Sequence, residues 1–211
     1  MIISVDHAVK RFREHTVLND VTVSFSRGCI HGIIGRNGSG KTVLFKCICG
    51  FMPLTSGSVT VNGLQIGKDT DVPKDTGIII EAPGFLPNYS GFKNLKLLAS
   101  IQNRITKDKI FKVLEKVGLD PTNRKWVGKY SLGMRQRLGL AQAIMEDPSL
   151  LILDEPMNGL DKHGVEDMRT LLLGIKAEGK TLIIASHSSE DIDQLCDTVH
   201  EMDAGNISKI R

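Results

Sequence analysis

The stretch GRNGSGKT, residues 35–42, matches the pattern GxxxxGK[ST] at every fixed position. A mostly apolar run, Ile30–Ile34, precedes it, and a stretch with helical pattern, Lys41–Cys49, follows it. A phosphate-binding loop requires this order of strand, glycine-rich loop and helix, because backbone N–H groups and a helix N-terminus then converge on one anion. We therefore expect this stretch to bind the phosphates of a nucleotide.

The residue types in the loop suit different parts of a nucleotide and its metal. Glycines at three positions let the backbone turn sharply with its N–H groups pointing inward. Lys41 is expected to bridge the β- and γ-phosphates, and the Thr42 hydroxyl to hold Mg²⁺. The expected nucleotide-binding residues of this segment are Gly35, Arg36, Asn37, Gly38, Ser39, Gly40, Lys41, Thr42 and Val43. A glycine-rich turn that matches by accident is the alternative, and it leaves the flanking strand and helix unexplained.

Two carboxylates follow an apolar run later in the chain. Leu150–Leu153 is entirely apolar, and Asp154, Glu155 and Pro156 come directly after it. A buried parallel strand that ends beside the phosphate loop would bring Asp154 to the Mg²⁺ held by Thr42. Glu155 would then lie near the γ-phosphate, where it acts as a general base on the attacking water. A strand end that is acidic without catalytic role is the alternative, and the phosphate loop argues against it.

Strands and helices alternate along the chain. Val21, Val23 and Phe25 alternate with polar residues, which predicts a half-buried antiparallel strand near the N-terminus. Two later strands lack a polar face, at residues 150–153 and 181–185, and a helix is predicted after each. Such strands indicate a parallel sheet that is covered on both faces.

The middle of the chain has a different pattern. Residues 92–117 predict two helices, and residues 132–145 predict a third, between strands of the sheet. We therefore predict an α/β fold of the P-loop NTPase type: a RecA-type parallel sheet with an N-terminal antiparallel β region and an inserted helical subdomain at about 85–145. We expect residues 1–211 to form one domain.

Composition excludes several classes of protein. The chain has 211 residues, 41% of them apolar and 24% charged, which is ordinary for a soluble globular domain. The net charge of +3 comes from scattered residues, so we expect no nucleic-acid partner. The four cysteines have no metal-binding spacing, and small buried or half-buried thiols are the expectation. The N-terminus resembles no signal peptide, and no apolar run has the length of a membrane span, so a membrane is expected to be reached only through a partner.

The segment YSLGMRQR, residues 130–137, precedes the acidic strand by about one helix. Here the chain resembles the ABC ATPase family, whose signature is LSGGQ followed by a basic residue, Gln and Arg. The agreement is at Ser131, Gly133, Gln136 and Arg137, while Tyr130, Leu132 and Met134 differ in a way associated with exporter-type members. Further family elements occur in the expected order, so the resemblance covers essentially the whole chain. A helix cap at Ser131 is the bland alternative.

The resemblance implies roles for residues outside the phosphate loop. In the family, the segment that holds Ser131 and Gly133 closes over ATP bound by a second subunit, so a head-to-tail dimer around two ATP molecules is implied. Phe12 matches the aromatic residue that stacks on adenine, although a core aromatic on a first strand is an alternative. His187 matches a switch histidine that contacts the γ-phosphate and orients the water. Asp161 matches a loop that crosses the dimer interface, and it is also placed to cap a helix.

One position departs from the common family pattern. Most members carry a glutamine after the strand predicted at Gly77–Ile80, and this chain has Glu81. The run from Glu81 to Leu95 resembles transporters for antimicrobial peptides and lantibiotic self-protection, where Glu occurs at this position. A carboxylate there coordinates Mg²⁺ more strongly than an amide and repels the γ-phosphate when it is unpaired.

These residues together predict an ATP-binding and ATP-hydrolysing subunit with Mg²⁺, which energises export by a separate membrane-spanning subunit. The expected partners are a second ATP-binding subunit, as a homodimer, and an integral membrane permease that holds the chain at the cytoplasmic face of the membrane. Two alternatives are an ABC ATPase that acts on ribosomes or DNA, and an ATP-dependent dimerisation clamp with little turnover. The absence of a second ATPase unit and of basic extensions disfavours the first, and the presence of both Glu155 and His187 disfavours the second.

Overall fold

The computed structural model describes the whole chain, Met1–Arg211, as two β-sheets and six α-helices. The strands are β1 Ile3–Phe12, β2 His15–Phe25, β3 Ile30–Ile34, β4 Ser56–Val61, β5 Leu64–Gln65, β6 Thr76–Ile79, β7 Leu150–Asp154, β8 Thr181–Ala185, β9 Thr198–Asp203 and β10 Asn206–Lys209. The helices are α1 Lys41–Ile48, α2 Gly91–Gln102, α3 Lys107–Lys116, α4 Leu132–Ile144, α5 Lys162–Ala177 and α6 Ser189–Leu195. No helix has the length and apolar character that crossing a membrane demands.

The larger sheet has the strand order β10-β9-β3-β8-β7-β6. Five of its strands are parallel, and β10 pairs antiparallel with β9 at one edge. The smaller sheet has the order β2-β1-β4-β5 and is antiparallel throughout. The predicted α/β class, with a parallel sheet and an N-terminal antiparallel region, is therefore confirmed.

Burial explains why the central strands have no polar face. Every residue of β7 and of β8 is buried. Successive residues of β7 point into two different cores: Leu151 and Leu153 into a core of 28 residues shared with the helices, and Leu150 and Ile152 into one of 21 residues shared with the smaller sheet. Because strand side chains alternate between faces, a strand between two cores must be apolar at every position.

Helices α2, α3 and α4 lie between β6 and β7 in the chain, where the sequence predicts three helices. Each is preceded by a hydroxyl residue at its N-cap, and Ser90, Thr106 and Ser131 each accept a hydrogen bond from the backbone N–H three residues later. Helix α4 packs closely on β6, because a Cβ at Gly77 would lie 2.1 Å from the carbonyl oxygen of Ala143. Only glycine permits this contact.

The four cysteines are free thiols, as expected. Burial raises the pKa of Cys47 to about 11 and the pKa of Cys49 to about 12. Both side chains therefore pack as small apolar groups and are not thiolates at neutral pH.

Candidate nucleotide-binding site

The phosphate loop connects the carboxyl end of β3 to the N-terminus of α1. Gly35, Gly38 and Gly40 all have positive φ, at 149°, 81° and 112°. A Cβ at Gly35 would lie 2.2 Å from the carbonyl oxygen of Met202, so no larger residue fits. Gly40 occupies the N-cap of α1 and supplies no side-chain cap. The first N–H groups of α1 consequently remain available to an anion, where the helix dipole also favours negative charge.

Lys41 lies across its own loop in this structure. Its Nζ donates to the carbonyl oxygens of Gly35 and Arg36, at 2.6 and 3.2 Å. The residue is 7% exposed, so its ammonium group is held at the base of the cleft. The Oγ of Ser39 is also buried there and has no hydrogen-bond partner. A buried polar atom without a partner and a cation that is bonded only to neutral carbonyls both suit a site for phosphate oxygens.

Thr42 and Asp154 meet directly, as the sequence predicts for a shared metal site. The Thr42 Oγ1 donates to the Asp154 Oδ2 at 2.7 Å, across 112 residues of sequence. Burial, and then the negative charges of Glu155 and Glu81, raise the pKa of the Asp154 carboxyl. A divalent cation at this point would offset that unfavourable charge. The hydroxyl and carboxylate oxygens are ligands that suit Mg²⁺, which in nucleotide sites takes further ligands from phosphate and water.

Glu155 and His187 also lie together. The Nδ1 of His187 is 2.8 Å from the Oε2 of Glu155, and both residues follow the ends of neighbouring strands, β7 and β8. Glu155 has a φ of 51°, in the left-handed region, and its N–H donates to the carbonyl of Ala185 at 2.9 Å. This backbone bond and the histidine hold the carboxylate beside the metal-site pair without burying it.

Gln136 makes a contact with Glu155 that the sequence did not predict. Its Nε2 donates to the carbonyl oxygen of Glu155 at 3.1 Å, so α4 directly supports the backbone of the expected general base. The residue belongs to the matched signature segment, but its spacing to Glu155 says nothing about this contact. Only the packing of α4 against the strand end brings the two together.

Val17 is a site residue that the sequence did not predict. A cleft of about 280 Å³ is lined by residues 37–43 of the loop, by Asp154 and Glu155, and by Val17 from β2. The smaller sheet therefore forms one wall of the site. No motif marks Val17, since it is an ordinary apolar residue in a strand.

Phe12 does not line that cleft. It ends β1 and is 43% exposed, with the Lys10 ammonium 5.1 Å from its ring centroid. The alternative that Phe12 is a core aromatic is therefore wrong. Its ring is exposed at the end of β1, next to β2, which forms a wall of the cleft. The ring is therefore available for stacking on a nucleotide base.

Ser131 and Gly133 also lie away from the cleft of their own chain. The Ser131 Oγ caps α4 by accepting from the N–H of Met134 at 3.2 Å, so the helix-cap role is real. A Cβ at Gly133 would lie 3.3 Å from the carbonyl oxygen of Gly159, which packs this turn against the segment after Glu155. Asp161 caps α5 through a bond from the N–H of Gly164 at 2.8 Å.

Glu81 lies just after β6, where the chain leaves the sheet. This strand ends at Ile79 and not at Ile80 as predicted. The φ of Glu81 is 59°, and its Oε1 is 2.6 Å from the Nζ of Lys46 on α1. The carboxylate at this unusual position is thus paired, whereas the sequence indicated only a charge near phosphate and metal.

The protein-family model described as ABC transporter matches residues 18–158. An uncharacterized ABC transporter ATP-binding protein of Bacillus subtilis, YybJ, is 43% identical over 206 residues, which cover 98% of this chain and 94% of that protein. The bacitracin transport ATP-binding protein BcrA of Enterococcus faecalis is 39% identical over 98% of this chain and 68% of its own length. The lantibiotic transport ATP-binding protein SrtF of Streptococcus pyogenes is 34% identical over 98% of this chain and 89% of its own length.

Solved structures have the same fold. The dimeric structure of MJ0796, a bacterial ABC transporter cassette, superposes with a TM-score of 0.88 at 20% identity and covers 99% of both chains. The ADP conformation of MJ1267, an ATP-binding cassette of an ABC transporter, gives 0.81 at 27% identity and covers 98% of this chain and 89% of that one. At 20% identity the first likeness concerns the fold alone.

Proposed function

Because the chain belongs to the ABC transporter family of ATP-binding, ATP-hydrolysing proteins, we propose that it is one nucleotide-binding domain, residues 1–211, which powers export by a separate membrane protein. The observation that carries this proposal is the convergence of two side-chain pairs beside one glycine loop. Thr42 donates to Asp154 at 2.7 Å, and His187 lies 2.8 Å from Glu155.

The proposed chemistry divides the work among these residues. The loop N–H groups and Lys41 would bind the β- and γ-phosphates, Phe12 would stack on adenine, and Thr42 and Asp154 would hold Mg²⁺, with Glu81 as a further candidate ligand. When bound, Mg²⁺ supplies positive charge that offsets the charge developing on the phosphates. Glu155 accepts a proton from the attacking water, and His187 orients that carboxylate.

We also propose that the active form contains two copies of this chain. Ser131 and Gly133 do not line the cleft of their own subunit, which leaves them available to nucleotide that is bound by a partner. The N-terminal turn of α4, in which only the Met134 N–H is bonded to the Ser131 side chain, would then present its remaining N–H groups to the partner's γ-phosphate. Docking on a permease at the cytoplasmic face of the membrane completes the proposed assembly, since BcrA and SrtF are named as transport ATP-binding proteins.

The principal test is ATP turnover by the purified chain, with Glu155→Gln beside the wild type and Glu115→Gln as a control on an exposed carboxylate of α3. We expect turnover in the wild type and in the control, and a loss of about 10²-fold or more in Glu155→Gln, since the general base is removed. Gel filtration in ATP and Mg²⁺ should show Glu155→Gln trapped as a dimer. If Glu155→Gln hydrolyses ATP as fast as the wild type, Glu155 is not the general base.

For the cargo, we propose a peptide antibiotic, because BcrA and SrtF carry that class in their names and match nearly this whole chain. Cells that lack this chain should become more sensitive to bacitracin or to a lantibiotic than to antibiotics that are not peptides. Restoring the wild-type chain should reverse the sensitivity, and restoring Glu155→Gln should not. Unchanged sensitivity to both peptides would contradict the proposed cargo while leaving the ATPase untouched.

A further inference from the structure

An ion pair links the phosphate-loop helix to the segment that follows β6. The Nζ of Lys46 lies 2.6 Å from the Oε1 of Glu81, and their side chains are 26% and 63% exposed. Lys46 belongs to the last turn of α1, the helix that opens with Lys41 and Thr42. The pair therefore joins the helix that is to hold the phosphates to a segment outside the sheet.

Glu81 lies on the phosphate side of the sheet. Strands β6 and β7 are parallel and in register, with Ile79 opposite Leu153, so the chain leaves β6 next to the point where β7 ends in Asp154. Asp154 and Glu155 already place two negative charges there. A third carboxylate without a counter-charge would repel an incoming polyphosphate.

The segment after Glu81 leads into the helical part of the molecule. Pro83 lies against Gly139 of α4, and further along, the N–H of Leu86 donates to the Asn94 side chain of α2 at 2.8 Å, while the Asn94 amide donates back to the Leu86 carbonyl at 3.1 Å. The Lys46–Glu81 pair thus connects the phosphate-loop helix to one end of the segment 81–86. The other end of that segment is bonded to α2.

We propose that Lys46 is the positioning residue for Glu81: it neutralises this carboxylate beside the phosphate site and ties the 81–86 segment to α1. The inference rests on the proposed function, because it concerns ATP in the same cleft. It assigns to Lys46 a role that is distinct from the phosphate contacts of Lys41. A chain with glutamine at position 81 would need no cation at position 46 for this purpose.

A double-mutant cycle tests the pairing of Lys46 with Glu81 by measuring ATP binding, without relying on ATP hydrolysis. Calorimetric titration with ATP, in EDTA and then in Mg²⁺, would compare wild type, Lys46→Ala, Glu81→Gln and the double variant. We expect Lys46→Ala to weaken ATP binding in EDTA by about two- to fivefold when Glu81 is present, and by clearly less when glutamine is at position 81. Lys46→Arg should bind ATP as the wild type does.

The matched control is Lys116→Ala, which removes another exposed lysine–glutamate pair, with Glu178 at 3.0 Å and exposures of 41% and 49%. It should leave ATP affinity unchanged. Equal effects of Lys46→Ala in the wild-type and Glu81→Gln backgrounds would overturn the proposal. Absence of ATP binding by the wild type would instead contradict the proposed function, so the two failures are distinguishable.

Hydrogen exchange supplies a second readout that does not need nucleotide. Breaking the pair from either side should speed amide exchange in residues 81–90, and the double variant should exchange no faster than either single one. If Lys46→Ala does not fold, the exchanged pair Lys46→Glu with Glu81→Lys takes its place, and slow exchange should return in it. Unchanged exchange in both single variants would show that the pair does not hold the segment.

Discussion

At the scale of single residues, the two acidic residues that follow neighbouring strand ends have the same unusual backbone. Glu155 and Glu81 have φ values of 51° and 59°, a left-handed conformation that is uncommon for residues other than glycine. Such a conformation persists only where surrounding bonds hold it, at a cost of roughly 1–3 kcal/mol. At Glu155 these bonds come from Ala185 and Gln136, and at Glu81 the side chain is held by Lys46.

The substitution Glu81→Gln is expected to leave ATP binding within about twofold of the wild type and to change the coupling of hydrolysis to transport. The amide keeps the size of the side chain but loses the charge that pairs with Lys46 and attracts Mg²⁺. The effect on binding should be small because the Lys46–Glu81 ion pair is exposed and therefore contributes little energy. Turnover should be measured in membranes that contain the permease, with and without cargo. If the cargo-stimulated ATPase of Glu81→Gln equals that of the wild type, this role of Glu81 is excluded.

At the scale of secondary-structure elements, helix N-termini differ in how their backbone groups are used. Helices α3 and α4 have side-chain caps, from Thr106 and Ser131. Helix α1 has none, because glycine occupies its N-cap where phosphate is expected. The difference follows from function: an uncapped helix start is tolerable where a ligand satisfies the N–H groups.

The cap at Ser131 is predicted to serve both stability and activity. Ser131→Ala and Thr106→Ala should each lower the free energy of unfolding by about 1 kcal/mol, because each removes one cap bond. Urea unfolding measures this loss. Only Ser131→Ala should also lower turnover and ATP-dependent dimer formation, because only α4 carries the signature segment. Equal turnover in the two variants would reduce Ser131 to a helix cap.

At the scale of the whole molecule, two histidines lie in the core between the sheets. His31 and His200 are 2% and 6% exposed, and both pack on Phe25, with ring centroids 5.1 and 5.4 Å away. Burial lowers the pKa of both imidazoles, and that of His200 falls to about 4. The buried Nδ1 of His200 has no hydrogen-bond partner, so a proton on this nitrogen would find no acceptor.

Stability should therefore fall when the pH is lowered. The ordinary pKa of histidine is 6.5, so in the unfolded chain His200 binds a proton below pH 6.5, whereas in the folded chain it does so only near pH 4. Its stabilising effect is complete above pH 6.5 and is lost progressively between pH 6.5 and about 4. From pH 7.5 to pH 5.0 we expect a loss of about 2 kcal/mol from this residue.

Urea unfolding of the wild type and of His200→Leu at the two pH values measures the effect. Leucine is similar in volume and does not titrate, so the variant should lose less stability on acidification by about the same 2 kcal/mol. The buried contact with Phe25 becomes an apolar one in this variant. Parallel pH profiles for the two proteins would show that His200 is protonated equally in the folded and unfolded states.

Short contiguous patterns allowed much of this protein to be predicted. GRNGSGKT between an apolar strand and a helix predicted the phosphate loop, and the apolar run before Asp154 and Glu155 predicted a buried parallel strand. Both work because loop geometry and two-sided burial depend on neighbouring residues along the chain. The α/β class and the family follow from these patterns and from YSLGMRQR.

Contacts between residues distant in sequence were decided only by the tertiary structure. The pairing of Thr42 with Asp154 was expected, because parallel strands end at one edge of a sheet, but the wall formed by Val17 and the bond from Gln136 to Glu155 were not. The partner of Glu81 was equally hidden: its charge is evident in the sequence, whereas its neutralisation by Lys46 depends on how α1 packs beside the end of β6. Local pattern fixes which face of an element is buried, but the side chains that meet across elements depend on how those elements pack, and no periodicity encodes that.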